Sequence, residues 1–163
     1  MKRAALALAA AALAAAAALP ASAEVIRHKT PGSTFPILRA SEVPGGTTVV
    51  YLSGMVPKVA DEAAPEGSIA RFGDTEAQTV SVLEAIDATL KDLGLTMGDV
   101  FKMQVFLVGP EGKPMDFAGF MKGYTQFFGT EAQPNLVSRS VMEVAGLVNP
   151  GWLVEIEVTA ARP

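Results

Sequence analysis

Cysteine is absent, and histidine and tryptophan occur once each, as His28 and Trp152, in 163 residues. Without cysteine there is no disulfide, no thiolate nucleophile and no lipid-modified leader. A single histidine leaves a tight zinc site short of ligands. A Ser-His-Asp triad would have only His28 to use, with no nucleophile-elbow motif near it. Excess positive charge is also lacking. The formal net charge is −4, and the first 23 residues carry two cations and no acid, leaving −6 on the remainder. Such a surface disfavours nucleic acid and anionic membrane as partners.

What is present begins with an export leader. Lys2 and Arg3 precede an unbroken Ala/Leu run from Ala4 to Leu19, Pro20 breaks it, and Ala21-Ser22-Ala23 offers small residues for cleavage. The run is shorter than the roughly 20 residues a membrane span needs. The expectation is a signal peptide over 1–23 and a single domain over 24–163, in the periplasm or secreted, with no membrane attachment after cleavage.

Within that domain, Glu24 to Leu38 reads as a lead-in with Pro31 and Pro36. Thr48 to Leu52 is β-branched and aromatic and predicts a strand. Lys58 to Gly73, with Pro65 and Gly67, predicts a surface loop. A helix starts at Asp74 or Thr75, with Thr75 and Gln78 as a capping box. Its apolar stripe is Val80, Leu83, Ile86, Leu90 and Leu93, and Gly94 stops it. Val100 to Val108 predicts a second strong strand, followed by a turn-rich loop over 109–114. Asp116 caps a second helix whose stripe is Phe117, Phe120, Met121, Tyr124, Phe127 and Phe128, ended by Gly129. Ser138 to Ala145 and Trp152 to Thr159 alternate as strands, with Pro150-Gly151 turning between them. The order predicts an α+β domain with two helices on one face of a sheet. Glu143, Glu155 and Glu157 are then expected with Val141 and Leu153 on the other face, as an oligomer contact or as an ordinary exposed face.

Three groups carry possible chemistry. Arg139, after the loop from Gly129 to Ser138, presents a planar fork suited to a carboxylate, assisted by backbone N–H groups of Ser140 and Val141. The alternative is an ion pair of Arg139 with Glu143 or a surface acid. Glu155 lies among aliphatics, where desolvation favours proton transfer, or it is the solvated side of an edge strand. Ser53-Gly54 ends the first strong strand, where Gly54 lets a ligand approach the backbone.

At these residues the sequence resembles the reactive intermediate deaminase (Rid, YjgF-type) family. The matching stretches are Leu52–Pro57 (LSGMVP), Asp74–Thr79 (DTEAQT), Gly98–Phe106 (GDVFKMQVF), Asp116–Ala118 (DFA), Tyr124–Phe128 (YTQFF), Arg139–Ala145 (RSVMEVA) and Leu153–Glu157 (LVEIE), in family order across nearly all of 24–163. The resemblance implies a chorismate-mutase-like α+β fold, a mixed sheet with two helices on one face. It also implies a homotrimer whose sheets form a central barrel, with ligand clefts between subunits. The reaction implied is hydrolysis of a small carboxylate-bearing enamine or imine, such as 2-aminoacrylate, to a keto acid and ammonia, with no cofactor and no metal. In that reaction Arg139 clamps the carboxylate and Glu155 positions or activates water. Ser53, Gly54, Met55, Ser140, Val141, Ile37 and Tyr124 would line the substrate site. The other function the sequence admits is a non-catalytic periplasmic binding protein for small carboxylates. Ribonuclease activity, attributed to some members, is opposed by the acidic charge and the lack of a histidine pair.

The chain departs from the family pattern in places. Phe35-Pro36-Ile37-Leu38-Arg39 puts Ile37 where a cleft Tyr is common and Arg39 where Gln is common. Met55 replaces the Gln of S-G-Q, Val137-Ser138 precedes Arg139 in place of Pro-Ala, and Met121 stands at a position often held by Asn. The loops around 58–73 and 109–115 are longer. Together these changes make the cleft wall more apolar. An exported protein also meets a different molecule from the family's best-known substrates, which arise in the cytosol.

Overall fold

The computed structural model describes residues 24–162; the leader read over 1–23 lies outside the described residues. One six-stranded mixed sheet organises the chain. Its strands are β1 (Ile26–Lys29), β2 (Leu38–Glu42), β3 (Thr48–Met55), β4 (Val100–Leu107), β5 (Ser138–Glu143) and β6 (Val154–Arg162), in spatial order β1-β2-β5-β4-β6-β3. Both helices, α1 (Thr75–Asp92) and α2 (Phe117–Tyr124), pack on one face, giving the α+β layer the residue pattern implies.

Alternation in the two central strands explains the layering. Met103, Val105 and Leu107 of β4, with Val154, Ile156 and Val158 of β6, are fully or almost fully buried beneath the helices. Residues between them face the other way. Onto this apolar face α1 lays Val82, Leu83, Ile86 and Leu90, all fully buried. Leu93 is 41% exposed and Val80 half-buried, so the α1 stripe is rotated from its expected centre toward Val82. α2 adds Phe120 and Tyr124, and Phe128 follows in the turn beyond it. The helices approach closely: a Cβ at Gly123 would lie 2.7 Å from Thr79 Cβ.

The start of α1 differs from expectation. Asp74 is the N-cap, its carboxylate accepting the Ala77 N–H at 2.9 Å. Thr75 is the first helical residue, so no Thr75–Gln78 box forms. Gln78 turns inward instead. Its Nε2 donates to the carbonyls of Gly73 and Gly151, both at 2.9 Å, and its Oε1 accepts the Leu153 N–H at 2.7 Å. The side chain satisfies two buried backbone groups where the chain enters β6 and a partly buried one before α1. Asp116 caps α2 as read, accepting from Gly119 N–H at 2.8 Å.

The lead-in is more ordered than the sequence implies, since it contributes β1 and most of the approach to β2. Both strands are short and largely exposed, and Leu38 is their one buried residue. Long-range polar contacts hold them: Arg27 donates to the carbonyls of Val100 (3.0 Å), Leu136 (2.6 Å) and Gly98 (2.8 Å).

Strand pairing corrects the expected second face. β4 and β5 run parallel with Met103 opposite Arg139, Val105 opposite Val141 and Leu107 opposite Glu143. Arg139, Val141 and Glu143 therefore lie on the helix side. Leu153 is buried in the core just before β6. The open face instead carries Glu155 and Glu157 of β6 with Lys102, Gln104 and Phe106 of β4 and Ser138, Ser140 and Met142 of β5. Alternation shows that each strand has two faces; only inter-strand register tells which faces join.

Candidate functional site

Arg139 is placed by the second residue of β5 and by the aromatic floor of α2. Phe120 and Tyr124, four residues apart, present neighbouring rings. The guanidinium carbon stands 4.9 Å from the Phe120 centroid and 4.2 Å from that of Tyr124, within cation–π range. Tyr124 stacks on Phe128 beneath, at 5.0 Å and 12°. Its hydroxyl donates to the Pro36 carbonyl at 3.0 Å, tying the Phe35–Ile37 stretch to the floor.

The guanidinium is poorly supplied with acceptors. Nη2 donates to Met121 Sδ at 3.3 Å, and Nη1 is enclosed with no hydrogen-bond partner. The alternative ion pair with Glu143 does not form; Glu143 accepts the Met115 N–H at 3.0 Å instead. Burial pulls the Arg139 pKa below its usual value, opposed by Tyr124. Burial pushes Tyr124 up to about 12, opposed by the Arg139 charge. A desolvated guanidinium with an unsatisfied donor is a costly arrangement, and a carboxylate is an anion whose geometry matches its fork.

The second group lies on the opposite face. Where the β3–β6 register shifts between Leu52 and Met55, the Gly54 backbone meets the Glu155 carboxylate. A Cβ built on Gly54 would fall 2.0 Å from Glu155 Oε1, so only glycine permits this contact. Glu155 is half-buried, and its aliphatic neighbours Val154 and Ile156 point to the other side of the sheet. Its side chain is thus not enclosed by them as the apolar run implied. Ser53 is exposed and lines an open groove of about 320 Å³ with Tyr51, Lys102, Gln104, Glu157 and Thr159.

The remaining residues divide between the faces. Met55 is half-buried against the core near Gly54. Val141 packs into the core on the helix side, whereas Ser140 is exposed on the open face. Ile37 is half-buried beside the Pro36 carbonyl that binds Tyr124. Tyr124 itself has no exposed surface, so its influence on a ligand runs through Arg139. Phe120 was readable only as core, and its second role as guanidinium floor needed the phase of Arg139 on β5. His28 pairs with Glu42 at 2.6 Å on the surface. Among the described residues no cluster of His, Asp or Glu could hold a metal, and no helix is long and apolar enough to cross a membrane.

Within one chain, then, Arg139 and Glu155 do not meet. Arg139 pairs with Met103 and Glu155 with Phe106, three residues along β4 and two strand spacings across, on opposite faces. That is roughly 14 Å between Cα positions at ~3.3 Å per residue and ~4.8 Å per strand.

Comparison with known proteins settles the relationship. A family model described as Endoribonuclease L-PSP matches residues 38–162. A RutC family protein of Haemophilus influenzae is 32% identical over 134 residues, spanning 82% of this chain and 92% of that protein. The chain belongs to the Rid/YjgF (RutC) family. Another Rid relative is the 3-aminoacrylate deaminase RutC of Acinetobacter baylyi, 30% identical over 136 residues, 83% of this chain and 94% of that protein. Among solved Rid structures, Escherichia coli TdcF with bound serine superposes with a TM-score of 0.56 at 29% identity, covering 86% of this chain and 98% of that one.

Proposed function

We propose that this Rid-family chain hydrolyses small carboxylate-bearing imines or enamines to keto acids and ammonia, outside the cytoplasm, in clefts between copies of itself. The observation that carries the reading is the Arg139 guanidinium, packed over the Phe120 and Tyr124 rings with Nη1 unpartnered. Deaminase activity in a relative and a bound amino acid in another support it.

Because Arg139 and Glu155 face opposite ways, one copy supplies the clamp and a neighbouring copy supplies Glu155 with Ser53 and Gly54. A homotrimer with its open sheet faces turned inward accommodates this, since each copy then offers both halves to different neighbours. In the cleft, Arg139 binds the substrate carboxylate and fixes the imine carbon. Glu155 takes a proton from water as the water oxygen bonds to that carbon and the C=N π pair moves to nitrogen. The proton is returned to nitrogen, giving a carbinolamine. Glu155 then takes the hydroxyl proton and passes it to nitrogen as the oxygen lone pair forms the C=O bond, the C–N bond breaks and ammonia leaves. An enamine enters the same path after tautomerising to the imine. The step needs no redox partner. Orientation by the clamp and general base catalysis, the latter worth roughly 10²–10⁴ in rate, are the expected contributions.

The test is ammonia release from freshly generated 2-imino acids. The protein should exceed the buffer rate and Arg139→Ala should return it to that rate; equal rates for protein and buffer defeat the proposal. A non-catalytic carboxylate-binding protein is the second reading, favoured by the thioether at Nη2. It predicts ligand-induced stabilisation that survives Glu155→Gln, is lost in Arg139→Ala and comes with no turnover.

A further inference from the structure

Arg139 is closed by its own chain. The Nη2 donor rests on Met121 Sδ, 3.3 Å away, and Nη1 is enclosed without a partner. A thioether is among the weakest acceptors a protein offers, so a carboxylate outcompetes it for the same donors. Of the groups packed on the guanidinium, Phe120 and Tyr124 are fully buried, packed on each other at a tilt, with Tyr124 also stacked on Phe128. Met121 is half-buried, unbranched and flexible, and is the one able to move. One turn earlier on α2, Phe117 is 36% exposed and shares the Met121 face at i,i+4 spacing. A carboxylate that displaces Met121 from Nη2 therefore arrives beside apolar surface.

We propose that Met121 is a specificity-determining residue that holds the carboxylate position at Arg139, swings aside when a substrate binds, and then packs on the substrate's own side chain. This rests on the carboxylate clamp proposed above and narrows the substrate class. The preferred 2-imino acids carry an apolar side chain longer than a single methyl. Polar walls would favour small or hydroxylated side chains; Met121 with Phe117 makes the opposite selection.

The stable 2-oxo acid products test this without turnover. Calorimetric titration of the protein with pyruvate, 2-oxobutanoate, 2-oxopentanoate and 2-oxohexanoate should give dissociation constants falling about threefold per added methylene. Met121→Asn should abolish or invert that order. Met121→Leu, which keeps the volume and removes the acceptor, should keep the order and bind every member about threefold more tightly, because no thioether competes for Nη2. A purely structural role for Met121 would weaken all ligands alike. A flat or inverted series in the wild type, an unchanged series in Met121→Asn, or no tightening in Met121→Leu overturns the proposal. If such a failing series still vanishes in Arg139→Ala, the clamp stands and only the role of Met121 falls. If no acid binds at all, the clamp falls with it.

Discussion

The guanidinium carbon of Arg139 lies 4.2 Å above the centre of the Tyr124 ring, and that ring is wholly shielded from solvent. The pair joins β5 to α2 and puts a charge where the fold would otherwise place an aliphatic side chain. Its other consequence is an unpartnered Nη1. Such a group lowers stability unless something binds it.

Arg139→Met should therefore separate stability from function. A flexible apolar side chain fills the same space without a desolvated charge, so the melting temperature should match or exceed that of the wild type. Stabilisation by small carboxylates should vanish. A thermal-shift series with and without pyruvate reads both effects. A fall of more than about 2 kcal/mol in stability would show that Arg139 holds the fold together.

Tyr124 makes a pH-dependent prediction. Its folded pKa is raised from 10.0 to about 12, so its contribution is fully present below pH 10. Between pH 10 and about 12 the unfolded chain loses this proton and the folded one keeps it, and stability falls. The wild type should lose about 2 kcal/mol relative to Tyr124→Phe across that interval. Urea unfolding of both proteins at pH 9 and pH 11.5 measures the difference. A constant difference would contradict the buried, neutral phenol.

Gly54→Ala should leave the fold and impair the chemistry. The added methyl collides with the far end of the Glu155 side chain, which can rotate away. Stability should change by less than about 1 kcal/mol, while a displaced general base should reduce kcat at least about tenfold. Parallel denaturation and steady-state kinetics decide it, and an unchanged kcat would remove Glu155 from the reaction.

Gln78→Ala should be costly although it is far from the site. It strands the carbonyls of Gly73 and Gly151 and the N–H of Leu153. A loss of about 2–4 kcal/mol in urea unfolding is expected, with an unchanged m-value. A loss under about 1 kcal/mol would mean that these groups find other partners.

The layering of this domain is legible in the residues alone wherever periodicity is strong. The alternation from Met103 to Leu107 and from Val154 to Val158 gives the buried strands, and Asp116 with Phe120 and Tyr124 gives α2. The strand Ile26–Lys29 was not legible, because its stability comes from Arg27 reaching the carbonyls of Gly98, Val100 and Leu136, distant in sequence. At the site, Arg139 and Glu155 stand out by residue type and motif. That they occupy opposite faces did not, since it depends on the pairing of Arg139 with Met103 and of Glu155 with Phe106. The same register leaves Glu143 out of the shared acidic face and gives it the Met115 N–H instead.

Subunit complementation tests the central claim most directly. Arg139→Ala and Glu155→Gln should each be silent in ammonia release from a 2-imino acid. Unfolded together at equal concentrations and refolded, they should form mixed oligomers in which some clefts receive an intact Arg139 from one copy and an intact Glu155 from another. Random assembly predicts recovery of about one quarter of wild-type activity. A mixture that stays as silent as its components, beside an active wild type refolded in the same way, would contradict a site built from opposite faces of two copies.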